Sequence, residues 1–305
     1  AFNNKIGIYE KDEGYYDSIK ITTDKINRLE FINQNPLGKS SRSNPITYIK
    51  AYDEIRTLFS SQALSKARKY KSGLFSFNVD GGRCDFCKGE GEIKVEMQFM
   101  ADVHLKCEDC KGTRFKDEIL EIKFHEKNIA DILEMSVDQA IDFFNEHNKE
   151  SIANKIKPLQ DVGLGYIKLG QSSNTLSGGE AQRVKIASFL SKRNNKNKIL
   201  FIFDEPTTGL HFNDIKKLLK SFDSLIDSGH SIICVEHNLD VIKCADWIID
   251  LGPNGGDEGG QVIFSGEPEK IILEKKSFTG KYLKSVSYTH LRAHETGRNV
   301  VCRLL

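Results

Sequence analysis

The stretch Ile199-Leu-Phe-Ile-Phe203-Asp204-Glu205-Pro206 decides the architecture of this chain. Five apolar residues in succession suit a strand covered on both faces, and such strands belong to parallel sheets. Two carboxylates and a proline end the run. Further along, residues 231–235 and 247–251 repeat the apolar theme, and helical patterns over 214–226 and 239–245 separate the three runs. Strand–helix–strand alternation predicts an α/β layer for the C-terminal half. The glycine-rich stretch from Gly252 to Gly260 then predicts a turn into a last strand, 261–264.

Upstream of this layer the texture is helical. Ile129, Ile132 and Leu133, then Val137, Ala140, Ile141 and Phe144, follow helical spacing, with Ser136 as the N-cap between two helices. Leu176-Ser-Gly-Gly-Glu180 opens another helix, on which Val184, Ala187 and Leu190 share a side. The glycines let the backbone approach an anion, Ser177 adds a hydroxyl, and the helix N-terminus offers free N–H groups and a positive dipole end. A lone Ser-Gly-Gly is any turn; standing some twenty residues before a strand that ends in Asp-Glu, it is far more specific. A carboxylate at the end of a buried strand orients Mg²⁺ through water, and the next one polarises the attacking water. Those are the roles expected of Asp204 and Glu205. His237, just after the apolar run 231–235, is the expected phosphate sensor.

Composition narrows the classes further. The 305 residues carry 44 Lys and Arg against 43 Asp and Glu, for a net charge of +1, with 39% hydrophobic and 29% charged residues. Mean hydropathy is −0.42. No apolar run reaches the ~18 residues of a membrane span, and the first ten residues lack the basic-then-apolar layout of a secretion leader. Net charge alone points to no polyanionic partner, so that argument must be local. Residues 39–83 hold nine basic against three acidic side chains, and 84–134 hold eight against thirteen. Within the basic segment, Lys66, Arg68, Lys69 and Lys71 surround Tyr70, Phe75 and Phe77 follow, and Arg83 closes it. Basic residues interleaved with aromatics suit a phosphate-backbone contact surface, though a solvated helix face has the same charge pattern.

Of seven cysteines, four form the pairs Cys84-x-x-Cys87 and Cys107-x-x-Cys110, nineteen residues apart. Each pair sets two thiolates on one turn, and two turns brought together make a tetrahedral four-sulfur zinc site. With all four positions filled by thiolate, such a metal is structural. Cys234 lies in an apolar run and is expected to be a small buried hydrophobe.

Leu176 to Arg183, the run ending at Pro206, Thr208-Gly-Leu210 and His237 resemble the signature, Walker B, D-loop and H-loop of ABC-family ATPases. The four-cysteine insertion narrows the likeness. With Asn33-Gln-Asn-Pro-Leu-Gly38, Arg42-Ser-Asn-Pro45, Phe75-Ser-Phe-Asn-Val79, Gly81-Gly-Arg-Cys84 and Gly163-Leu-Gly-Tyr166, the chain resembles the UvrA family, damage-sensing ATPase subunits of the bacterial excinuclease. The likeness covers residues 5–284 and points to the second ATPase half. Cys84 to Gly91 is also similar to the zinc repeat of DnaJ chaperones, but the second repeat ends in Arg114 where Gly is expected.

The resemblance implies an α/β fold: an ABC-type ATPase layer of mostly parallel sheet with helices, interrupted by a helical signature domain carrying a small zinc module. The expected boundaries are 1–37 for the first part of the nucleotide-binding domain, 38–175 for the signature domain with its zinc module at 84–110, and 176–284 for the rest of the nucleotide-binding domain. Residues 285–305 carry no periodic pattern and are expected to be a non-native tail. Gln34 is implied as the Q-loop glutamine beside the catalytic Asp204, Glu205 and His237. Ser177, Gly178, Gly179 and Glu180 are implied as nucleotide contacts, and Lys66, Arg68, Lys69, Lys71 and Arg83 as DNA contacts. ATP, Mg²⁺ and Zn²⁺ are the implied cofactors. The implied partners are damaged double-stranded DNA, UvrB and a second copy of the chain, in the cytoplasm and with no membrane. The one Gly-Lys-Ser, at 38–40, has Asn33 five residues before Gly38 where a phosphate-binding loop needs glycine. That loop is therefore expected upstream of Ala1, and the isolated chain is expected to be inactive. The alternatives are a UvrA-like drug-resistance paralogue and a non-catalytic zinc and DNA-binding fragment.

Overall fold

The structure, a computed structural model, describes residues 26–38, 42–95, 103–191, 198–253, 259–285 and 300–304. The Gly-Lys-Ser at 38–40 falls outside them beyond Gly38. The chain divides into two compact units, residues 1–34 with 192–305, and residues 35–191. Strand β1 (Ile26–Ile32) begins the first unit, and the chain then leaves it for the inserted unit.

The inserted unit is mainly helical. Helices α1 (Pro45–Tyr48), α2 (Tyr52–Ser60) and α3 (Ala63–Ala67) lead to a hairpin of β2 (Glu92–Val95) and β3 (Val103–Lys106). After α4 (Asp117–Leu120), the short hairpin of β4 (Lys123–Phe124) and β5 (Lys127–Asn128) precedes α5 (Ile129–Glu134), α6 (Val137–Glu146), α7 (Glu150–Asp161) and α8 (Gly178–Leu190). The helix starts are chemically specified. Asn128 caps α5 and Ser136 caps α6, each in a reciprocal capping box with Asp131 and Gln139 respectively. Helix α6 buries Val137, Ala140, Ile141 and Phe144, and α7 buries Ile152, Ala153, Ile156 and Leu159.

A second cluster corrects the reading of residues 66–83 as a surface interleaved with aromatics. Phe75 and Phe77 are fully buried. Phe77 lies 5.1 Å from the Tyr52 ring and 6.2 Å from Phe115, and Phe75 lies 5.7 Å from Phe59. The hydrophobic gain from burying two phenyl rings outweighs the polarity of the flanking sequence.

Back in the first unit come β6 (Lys198–Asp204), α9 (Phe212–Asp227), β7 (Ser231–Val235), α10 (Leu239–Ile242), β8 (Trp247–Gly252), β9 (Gln261–Gly266), α11 (Pro268–Ile271), α12 (Phe278–Ser285) and β10 (Val300–Leu304). Among the described residues the main sheet has six strands in the order β1-β6-β7-β10-β8-β9, parallel throughout except where β9 runs antiparallel to β8. Strand β10, at the far end of the segment without periodicity, pairs along its backbone with β7 and β8 at once. On β6, Ile199, Phe201 and Phe203 are buried, while Leu200 and Ile202 are only half-buried. One face of the strand is therefore core and the other is partly open, where two covered faces were expected. Phe203 stacks on Phe222 of α9 at 4.7 Å, which is why that face is closed. Cys234 is fully buried on β7, as its apolar run implies.

Candidate active site and metal centre

Parallel strands bring their C-terminal ends to one sheet edge, and ligands of open α/β sheets bind outside that edge. Ile32 of β1 stands in register with Phe203 of β6, and Asp204 with Val235 of β7. Gln34, the pair Asp204–Glu205 and His237 therefore leave the sheet at the same edge. His237 Nδ1 lies 3.8 Å from Glu205 Oε1, and both side chains are largely open to solvent. Glu205 has φ +43°, in the left-handed region that side-chain-bearing residues rarely occupy. The turn that follows holds it there. Glu205 N–H donates to Val235 O at 2.9 Å, and Thr208 N–H donates to Glu205 O at 3.1 Å. A proton acceptor at a sheet edge, with an imidazole beside it, is an arrangement able to polarise water against a bound phosphate.

The sequence reading missed two members of this edge, Thr207 and Glu236. Glu236 is buried, and its carboxylate accepts hydrogen bonds from Thr207, His237 and Asn238. The only available signal was a charged residue directly after an apolar strand.

In the inserted unit the signature residues form the start of α8. Ser177 is its N-cap: its hydroxyl oxygen accepts from Glu180 N–H at 3.3 Å, while Glu180 Oε2 accepts from Ser177 N–H at 2.8 Å. Gly178 and Gly179 occupy the first two helical positions, so no side chain obstructs their N–H groups. Tyr166 adds a contact that the sequence did not indicate, its hydroxyl donating to Glu180 Oε1 at 2.6 Å. Burial alone would raise the pKa of Glu180, but the hydrogen bonds from Tyr166 and Ser177 and the charge of Arg183 outweigh it and hold the carboxyl below its ordinary range. Burial and the Glu180 hydrogen bond push the Tyr166 phenol up to about 12.

Cys84, Cys87, Cys107 and Cys110 are all buried, and their sulfurs lie within 4.8 Å of one another. The Cys84–Cys107 and Cys87–Cys110 sulfur separations are 3.9 and 3.6 Å. Tetrahedral zinc with Zn–S near 2.3 Å needs sulfurs about 3.8 Å apart, so the cluster fits that ion. The two turns repeat one another. Each runs Cys-Lys-Gly after its second ligand, with Lys88 and Gly89, then Lys111 and Gly112, all at positive φ. At Gly89 a Cβ would stand 2.0 Å from Phe77 O, so glycine is required there. Gly91 N–H donates to Cys87 Sγ at 3.3 Å, the kind of outer contact that orients a metal ligand. Burial pushes the Cys84 thiol up to about 11 and raises Cys87 and Cys110, whereas at Cys107 burial is outweighed by hydrogen bonds from the second turn, which lower it; a bound cation favours the thiolate form of all four.

The basic run does not form one helix face. Lys66 lies in the last turn of α3, Arg68 is its C-cap, and Lys69 turns the chain at φ +57°. Lys66, Lys69 and Lys71 are exposed. Arg68 pairs with Glu121 at 2.5 Å, and Arg83 with Asp80 at 2.7 Å.

Comparison with known proteins agrees with this geometry. The ABC transporter family model matches residues 87–208. UvrABC system protein A of Aquifex aeolicus (strain VF5) is 53% identical over 282 residues, covering 92% of this chain and 29% of that protein. The Clostridium perfringens (strain 13 / Type A) protein of the same name is 56% identical over 261 residues, covering 86% and 28%. The crystal structure of UvrA2 from Deinococcus radiodurans matches with a TM-score of 0.79 at 42% identity, covering 86% of this chain and 32% of that one. The chain thus spans about a third or less of the length of these relatives. By sequence and by fold, the chain is similar to one part of the UvrA proteins, and it carries a segment that matches the ABC transporter family model.

Proposed function

We propose that this chain is the second ATPase half of a DNA-damage-recognition subunit of the bacterial excinuclease, acting in the cytoplasm in nucleotide excision repair. The observation that carries the reading is the convergence of Gln34, Asp204, Glu205 and His237 on one edge of a parallel sheet. Asp204 and Gln34 would hold Mg²⁺, which when bound neutralises phosphate charge. Glu205 takes the proton of the attacking water, and His237 hydrogen-bonds the terminal phosphate. Ser177, Gly178, Gly179 and Glu180 contact nucleotide held by the phosphate-binding loop of the opposing half, with free N–H groups at the start of α8 as the anion donors.

Cys84, Cys87, Cys107 and Cys110 hold one structural zinc. Lys66, Lys69 and Lys71 form the core of the DNA contact, with Arg68 and Arg83 exchanging their carboxylate partners for phosphate. UvrB and a second copy of the chain are the protein partners. The proposed division is 1–37, 38–175 and 176–284, although the compact inserted unit spans 35–191 and so takes in α8. The reading is tested by fluorescence anisotropy on two duplexes that differ by one bulky adduct. Tighter binding to the adducted duplex is expected; equal weak binding to both would remove damage recognition from this part of the molecule.

A further inference from the structure

Between the loops that carry Glu205 and His237 lies a carboxylate with no part in the hydrolytic chemistry proposed for its neighbours. Glu236 is 2% exposed, and a buried carboxylate is costly unless its oxygens are met by donors. Here both are. Oε1 accepts from Thr207 N–H at 2.9 Å and from the Thr207 hydroxyl. Oε2 accepts from His237 N–H at 2.8 Å and from Asn238 N–H at 2.9 Å. The backbone ladder between β6 and β7 ends just before, at the bond from Glu205 N–H to Val235 O. Beyond that point the Glu236 side chain continues the ladder, one oxygen to each loop. Glu205 itself stands in a left-handed conformation that persists only where its surroundings hold it.

We propose that Glu236 is a positioning residue for the hydrolytic site: its two oxygens lock the loop after β6 to the loop after β7, so that the His237 imidazole stays beside the Glu205 carboxylate. The inference rests on the reading of Glu205 and His237 as the hydrolytic pair. Its chemistry is specific to a carboxylate. Glutamine has the same shape but one acceptor oxygen, and its NH2 would face two donors, so Glu236→Gln can hold one loop and not both.

The test is amide hydrogen exchange by NMR on the whole chain, with Glu236→Gln beside the wild type. In the variant, either Thr207 N–H or the pair His237 and Asn238 N–H should exchange about ten- to a hundredfold faster, the effect of leaving a buried hydrogen bond unmade. Ile232 and Cys234, inside β7, should keep their wild-type rates, and the His237 ring should lose its proximity signals to the Glu205 side chain. Unchanged protection of all three amides, with His237 still beside Glu205, would overturn the proposal. If the variant does not fold, the wild type decides. Among the described residues, His237 and Asn238 N–H have no carbonyl partner, so unprotected exchange at both would mean that the tie does not exist. Neither measurement needs nucleotide. Intact ties in a longer protein that carries the upstream phosphate-binding loop and still never hydrolyses ATP would fault the functional reading instead.

Discussion

Replacing Phe77 by alanine separates a core ring from a DNA-contacting one. The ring is fully buried between Tyr52 and Phe115, with the Arg114 guanidinium 5.3 Å from its centroid. Removing about 175 Å² of apolar surface at about 25 cal/mol/Å² costs roughly 4 kcal/mol; the missing ring–ring attraction adds to this, while partial collapse of the cavity subtracts. For a unit of about 160 residues, with an unfolding entropy near 2.1 cal/mol/K per residue, 4 kcal/mol lowers the melting temperature by about 12 °C. Differential scanning calorimetry resolves a shift of this size. A shift below about 3 °C would mean that the ring is solvated. A stable variant with weakened DNA binding would return Phe77 to the contact surface.

The four-thiol cluster should hold one zinc per chain by elemental analysis, and Cys107→Ser should release it and unfold the module around 84–112 while the sheet unit keeps its melting transition. Lys69→Glu with Lys71→Glu should weaken duplex binding and lower the salt slope by about 0.9 for each phosphate no longer neutralised; an unchanged slope would leave the run as a solvated surface. Because the Glu180 pKa is held below its ordinary range, its ionised form contributes stability that is complete above the unfolded pKa near 4.3 and is lost as pH falls through the folded value. Melting curves between pH 3 and 6 should therefore show a smaller acid loss in Glu180→Gln than in the wild type, by under about 1 kcal/mol, since the group is part-exposed and its charge interactions are screened.

Much of this molecule was legible along the chain, because the informative contacts were local. Apolar runs marked β6, β7 and β8; capping residues three apart marked the starts of α6 and α8; and paired cysteines marked a cluster whose geometry depends on two short turns. What escaped were contacts between residues far apart in sequence. Thr207 meets Glu236 only because β6 and β7 pair in parallel, and nothing near either residue announces it. Arg68 has the sequence setting of a free cation, yet it reaches Glu121 across the fold. The charged neighbours of Phe75 and Phe77 suggest a surface, whereas Tyr52, Phe59 and Phe115 close over both rings. Tyr166 joins Glu180 across a loop whose backbone is held by bonds such as Val137 N–H to Ile167 O, a tertiary arrangement that no periodicity encodes.

The central claim is that Glu205 activates water against ATP while Asp204 orients the metal. The most direct measurement is single-turnover ATP hydrolysis by a protein that carries this chain together with an upstream phosphate-binding loop, with any second nucleotide site disabled. Wild type is compared with Glu205→Gln, whose amide keeps the shape of the side chain but cannot accept the proton. The account predicts a rate at least about a hundredfold lower in the variant, with ATP affinity within about twofold of wild type. Normal turnover by the Gln variant would contradict it.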